Sequence, residues 1–314
     1  MARRSSRIHR GLTGTRALVG TRYLADPELR REYAREIAPR TGAALAKILA
    51  ELYAGATAPP ARALDLGAGT GAAGAALRAR FGAGLDVVAV DRIAAPGVVV
   101  ADLARELPSV EGRFDLIVAA HLLGELHLGE PPAARIDALA RRVLAWCRGF
   151  LDDGGLVILL EPALRETSRA LLAVRDRLVV SGLSVVAPCF WTGPCPALSR
   201  ERDWCHDAAK APSAPRVDFS YLALRAEAAP APGPALFRVV SDRLVEKGRL
   251  KIFACGASGR HALARLDRHA SAANAAFGDL ERGDVATITG TRFASDGLRV
   301  TEETLVARGK PPEG

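Results

Sequence analysis

The chain reads as an α/β protein built on a doubly wound parallel sheet, and three observations predict it. Short apolar runs bounded by Gly, Pro or an acid alternate with Ala/Leu/Arg-rich stretches of helical period. A glycine turn, Gly67-x-Gly69-x-Gly71, joins the first such run to the first such helix. Acids then recur just past the ends of later runs, at Asp91 and Asp102, on the edge of the sheet where ligands bind. The 314 residues leave room for this domain and appendages, and 49% hydrophobic with 25% charged residues supplies an ordinary packed core. No apolar run reaches the length of a bilayer span, so no membrane partner is expected.

In chain order, residues 1–24 hold six Arg, one His and no acid, the composition of a flexible basic arm or of an organellar transit peptide. The first alternative fits a bacterial cytoplasm, the second a mitochondrion. The net charge of +8 invites a nucleic-acid partner, although 38 Arg against 5 Lys in an Ala-rich chain is also what a GC-rich genome produces. Residues 25–58 form a helical segment. Leu29, Tyr33, Ile37, Leu45, Ile48, Leu49 and Leu52 follow helical spacing, and Pro39 separates two helices.

Residues 59–187 form the cofactor-binding core. Arg62 to Leu66 is the first strand; Gly67, Gly69 and Gly71 turn the chain, and Ala72 to Arg80 is a helix whose N-terminus faces the strand end. Gly69-Thr-Gly-Ala-Ala-Gly74 with Asp91 beyond it satisfies the dinucleotide fingerprint, which points to NAD. Asp65, two residues before the first glycine, gives instead Asp-x-Gly-x-Gly-x-Gly. That pattern resembles motif I of the class I S-adenosylmethionine-dependent methyltransferases and implies that Asp65 helps to hold the methionine end of the cofactor.

Asp86 to Asp91 is the second strand and Asp91 the acceptor for two ribose hydroxyls. Val98 to Ala101 is the third, with Asp102 placed either to accept a bond from the adenine amino group or to cap a helix. Arg113 to Ala120 is the fourth. It delivers His121 and Glu125 to the same edge, as weak catalytic candidates on the methyl-acceptor side or as ordinary hydrogen-bonded neighbours. The Asp/Asn-Pro-Pro-Tyr signature of many exocyclic-amine methylases is missing. Ile136 to Phe150 is a helix carrying Cys147 as a core thiol, Asp152 to Gly155 a turn, Leu156 to Leu160 the fifth strand and Leu164 to Val180 another helix.

Residues 188–212 are a cysteine-rich loop. Cys189, Cys195 and Cys205 fall among prolines and aromatics, and Cys255 follows a strand-like stretch. Soft thiolates select zinc or an iron-sulfur cluster, and the C-x5-C-x9-C spacing lacks the C-x2-C pairs of zinc ribbons, which favours the cluster. The glycine turn with Asp65, the Pro-Cys-x5-Cys-Pro stretch, Asp203-Trp-Cys-His206, the late Cys255, the Tyr33 helix with Pro39 and Phe277-Gly-Asp279 together resemble the methyltransferase-like assembly factors of the mitochondrial small ribosomal subunit and their bacterial relatives. The resemblance covers roughly residues 25 to 280. It implies a [4Fe-4S] cluster on Cys189, Cys195, Cys205 and Cys255, S-adenosylmethionine in a Rossmann-like methyltransferase fold, and association with small-subunit ribosomal RNA. Two departures, Phe190-Trp191 in place of a polar stretch and Asp207 in place of an aromatic, leave the thiols intact.

Residues 213–280 are expected to complete the sheet, with Val217 to Leu224, Phe237 to Val240 and Leu250 to Ala254 as strands and Ala226 to Pro234 as a linker. Residues 281–314 are a tail in which 284–289 and 297–301 form a β-hairpin, with Arg260, Arg265, Arg268, Arg282, Arg292 and Arg299 nearby for RNA. The function expected is a monomeric S-adenosylmethionine-dependent RNA methyltransferase, or methyltransferase-like factor, of the small ribosomal subunit. The alternatives are a non-catalytic RNA-binding assembly factor and, more remotely, an NAD-linked oxidoreductase.

Overall fold

The computed structural model describes residues 6–54, 58–189, 191–227 and 233–309; Phe190 and most of the expected linker lie outside them. Asp26 accepts hydrogen bonds from the backbone N–H of Glu28 (2.8 Å) and Leu29 (3.3 Å), and Pro27 occupies the first turn, so helix α1 (Pro27–Glu36) begins where cap chemistry requires. Pro39 lies in the first turn of α2 (Ala38–Leu52), where its missing N–H costs nothing.

The first lobe continues through β1 (Arg62–Leu66), α3 (Ala72–Phe81), β2 (Asp86–Asp91), β3 (Val98–Val100), β4 (Phe114–Ala120), α4 (Pro132–Phe150), β5 (Leu151–Pro162), α5 (Arg165–Val180), β6 (Ser184–Ala187), β7 (Asp207–Ala211) and β8 (Ala214–Arg225). The strand order is β3-β2-β1-β4-β5-β8-β6, with β7 beside β8. Pairing is parallel from β3 to β5, and β8 runs antiparallel to both β5 and β6. The order reverses between β1 and β4, which opens a crevice at the carboxyl ends of those strands. Alternation along the strands serves two cores. Leu64, Leu66, Ile117 and Leu159 meet Trp146 and Phe150 of α4 and Val174 of α5. Ala63, Leu116, Val118 and Ile158 meet Leu45 and Ile48 of α2 and Leu77 of α3.

Two expectations for this lobe need correction. Residues 6–24 are no flexible arm: Ile8, fully buried, and Leu24 pack against Leu29 and Tyr33. Of the arginines that suggested an arm, Arg7, Arg10 and Arg22 are exposed beside this apolar strip. Residues 152–155 are not a separate turn but part of β5, which starts at Leu151 opposite Phe114 and resumes its register after an irregularity.

The C-terminal part departs further. Of the strands expected to complete the first sheet, only β8 does so. A second sheet holds β9 (Leu236–Val239), β10 (Leu244–Glu246), β11 (Arg249–Gly256), β12 (Gly259–Leu266), β13 (Val285–Thr289), β14 (Arg292–Ala294), β15 (Gly297–Val300) and β16 (Leu305–Arg308). Residues 285–289 and 297–300 lie on the two arms of the expected hairpin but do not pair directly with each other. β13 pairs with β16 and β9, whereas β15 pairs with β14 and runs parallel to β12. Alternation identifies a strand but not its partner. The order is β14-β15-β12-β11-β9-β13-β16. Since β13–β14 and β15–β16 are the two arms of one bulged hairpin, the ends of that order meet and the sheet closes as a five-stranded barrel. Phe237, Ile252, Leu263, Ile288 and Val300 fill it, joined by Phe277 from the helical segment Ala272–Asp279.

A buried ion pair joins the lobes. Arg238 of β9, 2% exposed, donates to Glu51 of α2 at 2.6 and 2.7 Å and to the Tyr221 hydroxyl of β8 at 2.9 Å. Tyr221 in turn donates to Glu51 at 3.0 Å.

Candidate functional site

The glycine turn sits at the switch point. Gly67 and Gly69 adopt φ of +73° and +57°, which glycine tolerates and other residues resist. A Cβ on Gly67 would stand 3.0 Å from Leu122 Cδ1. Gly67, Gly69, Asp91, Asp102, Ile93 and Leu103 line a cavity of about 100 Å³. Gly71 lies outside that lining and serves as the left-handed start of α3.

Asp91 accepts from Gly69 N–H at 2.8 Å and from Ile93 N–H at 2.9 Å, so it orders the turn while facing the cavity. Asp102, half exposed, accepts from Ala104 N–H at 3.1 Å. Asp65 is placed differently from a residue that grips a ligand in the open. It is 1% exposed beneath the turn; one oxygen accepts from Gly74 N–H at 3.0 Å and the other is buried without a partner. Burial pushes its pKa up to about 7, with Asp91 adding to the effect and the Gly74 amide opposing it.

Tyr23, Tyr33, His121 and Glu125 border this cavity and also a second one of about 370 Å³. The Tyr23 hydroxyl donates to Glu125 at 2.9 Å and Arg92 reaches its other oxygen at 3.1 Å, while burial raises the Glu125 pKa. His121 adopts φ of +58°, and its Nε2 lies 3.1 Å from Thr41 Oγ1. Its Nδ1 is buried without a partner, and desolvation lowers its pKa to about 4, which leaves a neutral imidazole. Residue-level reasoning missed Glu161. It ends β5 in the wall of the larger cavity, 2% exposed, accepting from Gly124 N–H at 3.2 Å, and burial pushes it up to about 7. The available signal was its place at the carboxyl end of the fifth strand, one residue past Leu160.

The four cysteines line one cavity of about 40 Å³ between the lobes. Cys189, Cys195 and Cys205 come from the loop after β6, and Cys255 from the outer row of β11. Buried Arg175 places Nη2 3.9 Å from Cys189 Sγ and pairs with Asp176, which accepts from Cys195 N–H at 3.0 Å. Burial pushes Cys195 up to about 11 and Cys205 up to about 12, and raises Cys255 well above the usual thiol range. Among the described residues, no three His, Cys, Asp or Glu side chains lie close enough to hold a metal ion, and no helix is long and apolar enough to cross a membrane. Cys147 is buried in the helix core, apart from the other four.

Among solved structures, the N-methyltransferase NodS from Bradyrhizobium japonicum WM9 is 18% identical, with 66% of this chain and 95% of that one covered and a TM-score of 0.39. TrmN from Thermus thermophilus is 21% identical, with 60% and 52% covered and a TM-score of 0.35. The plantazolicin methyltransferase BpumL, in complex with S-adenosylhomocysteine, is 12% identical with a TM-score of 0.34 over 49% of this chain, which spans 61% of BpumL. Likenesses this distant add nothing to the strand order itself. Comparison with curated proteins returned no match. The family model described as mitochondrial small ribosomal subunit Rsm22 matches residues 30–279, from the helix of Tyr33 through the glycine turn and all four clustered cysteines to Asp279, and the chain belongs to that family.

Proposed function

We propose that the first lobe binds S-adenosylmethionine and that the protein methylates RNA of the small ribosomal subunit. The observation that carries this is that two cavities adjoin, with Tyr23, Tyr33, His121 and Glu125 lining both: a crevice with glycine amides and strand-end carboxylates lies beside a larger chamber walled by buried ionisable groups. Bound there, S-adenosylmethionine supplies a sulfonium-activated methyl group. Asp91 would accept from the ribose hydroxyls and Asp102 from the adenine amine, and Ile93 and Leu103 would supply apolar wall beside the base. Asp65, buried beneath the glycine turn, holds that turn in place through the Gly74 amide, so its part in binding the amino-acid end would be indirect. The ionised fraction of Glu161 can take a proton from the acceptor near neutral pH, whereas His121, whose pKa desolvation lowers to about 4, stays neutral and can serve only as a hydrogen-bonding partner. Rate enhancement comes mainly from orientation in a site from which water is excluded.

The test is calorimetry with S-adenosylhomocysteine, followed by transfer of a labelled methyl group to small-subunit RNA. Absence of binding overturns the reading. One observation favours a second reading, a non-catalytic assembly factor. Leu24 and Leu122 crowd Gly69 and Gly67, and the cavity of about 100 Å³ is smaller than ordinary small-molecule sites. Binding without transfer would support it.

The cysteine cavity is assigned a [4Fe-4S] cluster. What supports this is that four thiols from two lobes line one cavity, though they would have to draw closer to ligate the cluster, and that Arg175 beside Cys189 offsets negative charge. The cluster would serve as a structural clasp. Anaerobic purification with iron and sulfide analysis tests it; a single zinc or no metal refutes it.

A further inference from the structure

The barrel follows the strand connectivity of an oligonucleotide-binding (OB) fold. The first three strands form a meander, a helical segment leads to the fourth, and the fifth runs parallel to the third. Folds of this kind bind ligands on the face of strands two and three and on the loops joining strands one to two and four to five. Topology alone assigns no function, but the residues on that face do. Residues 249–266, which make up β11 and β12, contain four Arg or Lys and no Asp or Glu. The burial pattern of β11 alternates, so Arg249, Lys251, Phe253 and Cys255 form its outer row.

The Cys255 end of that row is covered by the cysteine loop, where Arg260 pairs with Asp203 at 2.8 Å. From Phe253 to Arg249 the row continues along the strand, half-buried. The Phe253 ring carries two cations, Lys251 Nζ at 5.0 Å and Arg260 Cζ at 4.8 Å from its centroid. Lys251 has no carboxylate partner among the described residues, nor have Arg243 and Lys247 in the loop before β11. Opposite Phe253 and Lys251 in β12 stand two small residues, half-buried Ala262 and buried Ala264. The two loops are unusually apolar for solvent-facing chain: Leu244 is 43%, Val245 78% and Phe293 90% exposed. The turn beside Phe293 folds back onto this face, where Asp296 accepts from Arg249.

We infer that this surface binds single-stranded RNA, with bases stacked on Phe253 and Phe293 and the backbone followed by Lys251, Lys247 and Arg243. An exposed aromatic ring, Phe293, and a half-buried one, Phe253, flanked by cations without carboxylate partners suit a sequence-tolerant single strand, while a duplex keeps its base faces hidden. The choice of RNA over DNA rests on the ribosomal reading proposed above; the surface itself is independent of the methyl-transfer cleft.

The full-length protein is titrated into a labelled oligouridine of about twelve nucleotides, within the site sizes such barrels occupy, and anisotropy is followed across a salt series. Phe253→Ala combined with Phe293→Ala should weaken binding about tenfold or more. Lys251→Ala, in the outer row of β11 where a truncation should not unfold the chain, should lower the slope of log affinity against log salt by about 0.7. Thermal melts confirm that each variant is folded. Affinity unchanged in both variants overturns the assignment of this surface, as does equal or tighter binding of a duplex or of the matching deoxyoligonucleotide. If the variants leave RNA binding intact, the surface is wrong but the proposed function stands. If S-adenosylhomocysteine fails to bind while the oligouridine results hold, the methyltransferase reading fails and the barrel assignment survives.

Discussion

The crevice over the glycine turn and the cavity of the four cysteines differ in who builds them. Every residue lining the crevice and its adjoining chamber belongs to the first lobe. The cysteine cavity draws on both lobes, from Leu171 and the loop thiols on one side to Arg238 and Cys255 on the other. A pocket within one lobe can lose a ligand-facing side chain and keep its frame. A pocket that is also a joint cannot, so damage there should spread while damage in the crevice stays local.

The sharpest way to break this contrast is Cys255→Ser. If the thiols hold a cluster, iron content should fall close to zero and the melting temperature by roughly 10 °C, because a bound metal group contributes to folding directly. Iron analysis with calorimetric melts checks it, and an unchanged melt would remove the joint. Arg238→Met comes next. It strands Glu51 and Tyr221 without their cation and should cost about 3–5 kcal/mol in urea unfolding, with the two lobes no longer unfolding together.

Glu161→Gln probes the other side of the contrast through pH. The buried carboxyls of Glu161 and Asp65 titrate near 7 in the folded chain and near 4 when unfolded. The folded state therefore binds more protons between those values. Stability should fall as pH rises from about 4 to about 7 and level off above. Glu161→Gln should flatten that fall by at most roughly 3 kcal/mol, measured by denaturant titration at several pH values, with the barrel unaffected. The mildest change is Asp91→Ala. It should weaken S-adenosylhomocysteine binding about 10- to 100-fold, the worth of a charged hydrogen bond, while iron content and oligouridine affinity stay at wild-type values.

The same division governs what could be read before folding. The crevice is written locally: strand, turn, strand and strand-end acids follow within about forty residues, so the meeting of Gly67, Gly69, Asp91 and Asp102 around one cavity was legible, as were β1 to β5 and their helices. Asp65 was legible as part of the motif, but its burial beneath the turn depends on Gly74 and α3 packing over it. Glu161 escaped because a single acid at a strand end looks like any solvated residue until the chamber around it exists. The barrel escaped because its pairings are distant. β9 meets β13, and β12 lies parallel to β15, with nothing in the intervening chain to set either register. Residues 6–24 misled for the opposite reason: their charge is conspicuous in sequence, whereas Ile8 and Leu24, which decide their position, are not.

The order of the thiols along the chain gives the cysteine cavity a place in time. Cys189, Cys195 and Cys205 are synthesised before the second lobe, and Cys255 reaches the cavity only once β11 has paired with β9 and β12. Whatever the four thiols enclose is thus sealed in after translation has passed residue 266. A truncated or misfolded second lobe would leave three thiols facing an open edge, so a filled cavity marks a chain whose second lobe has folded at least as far as β12.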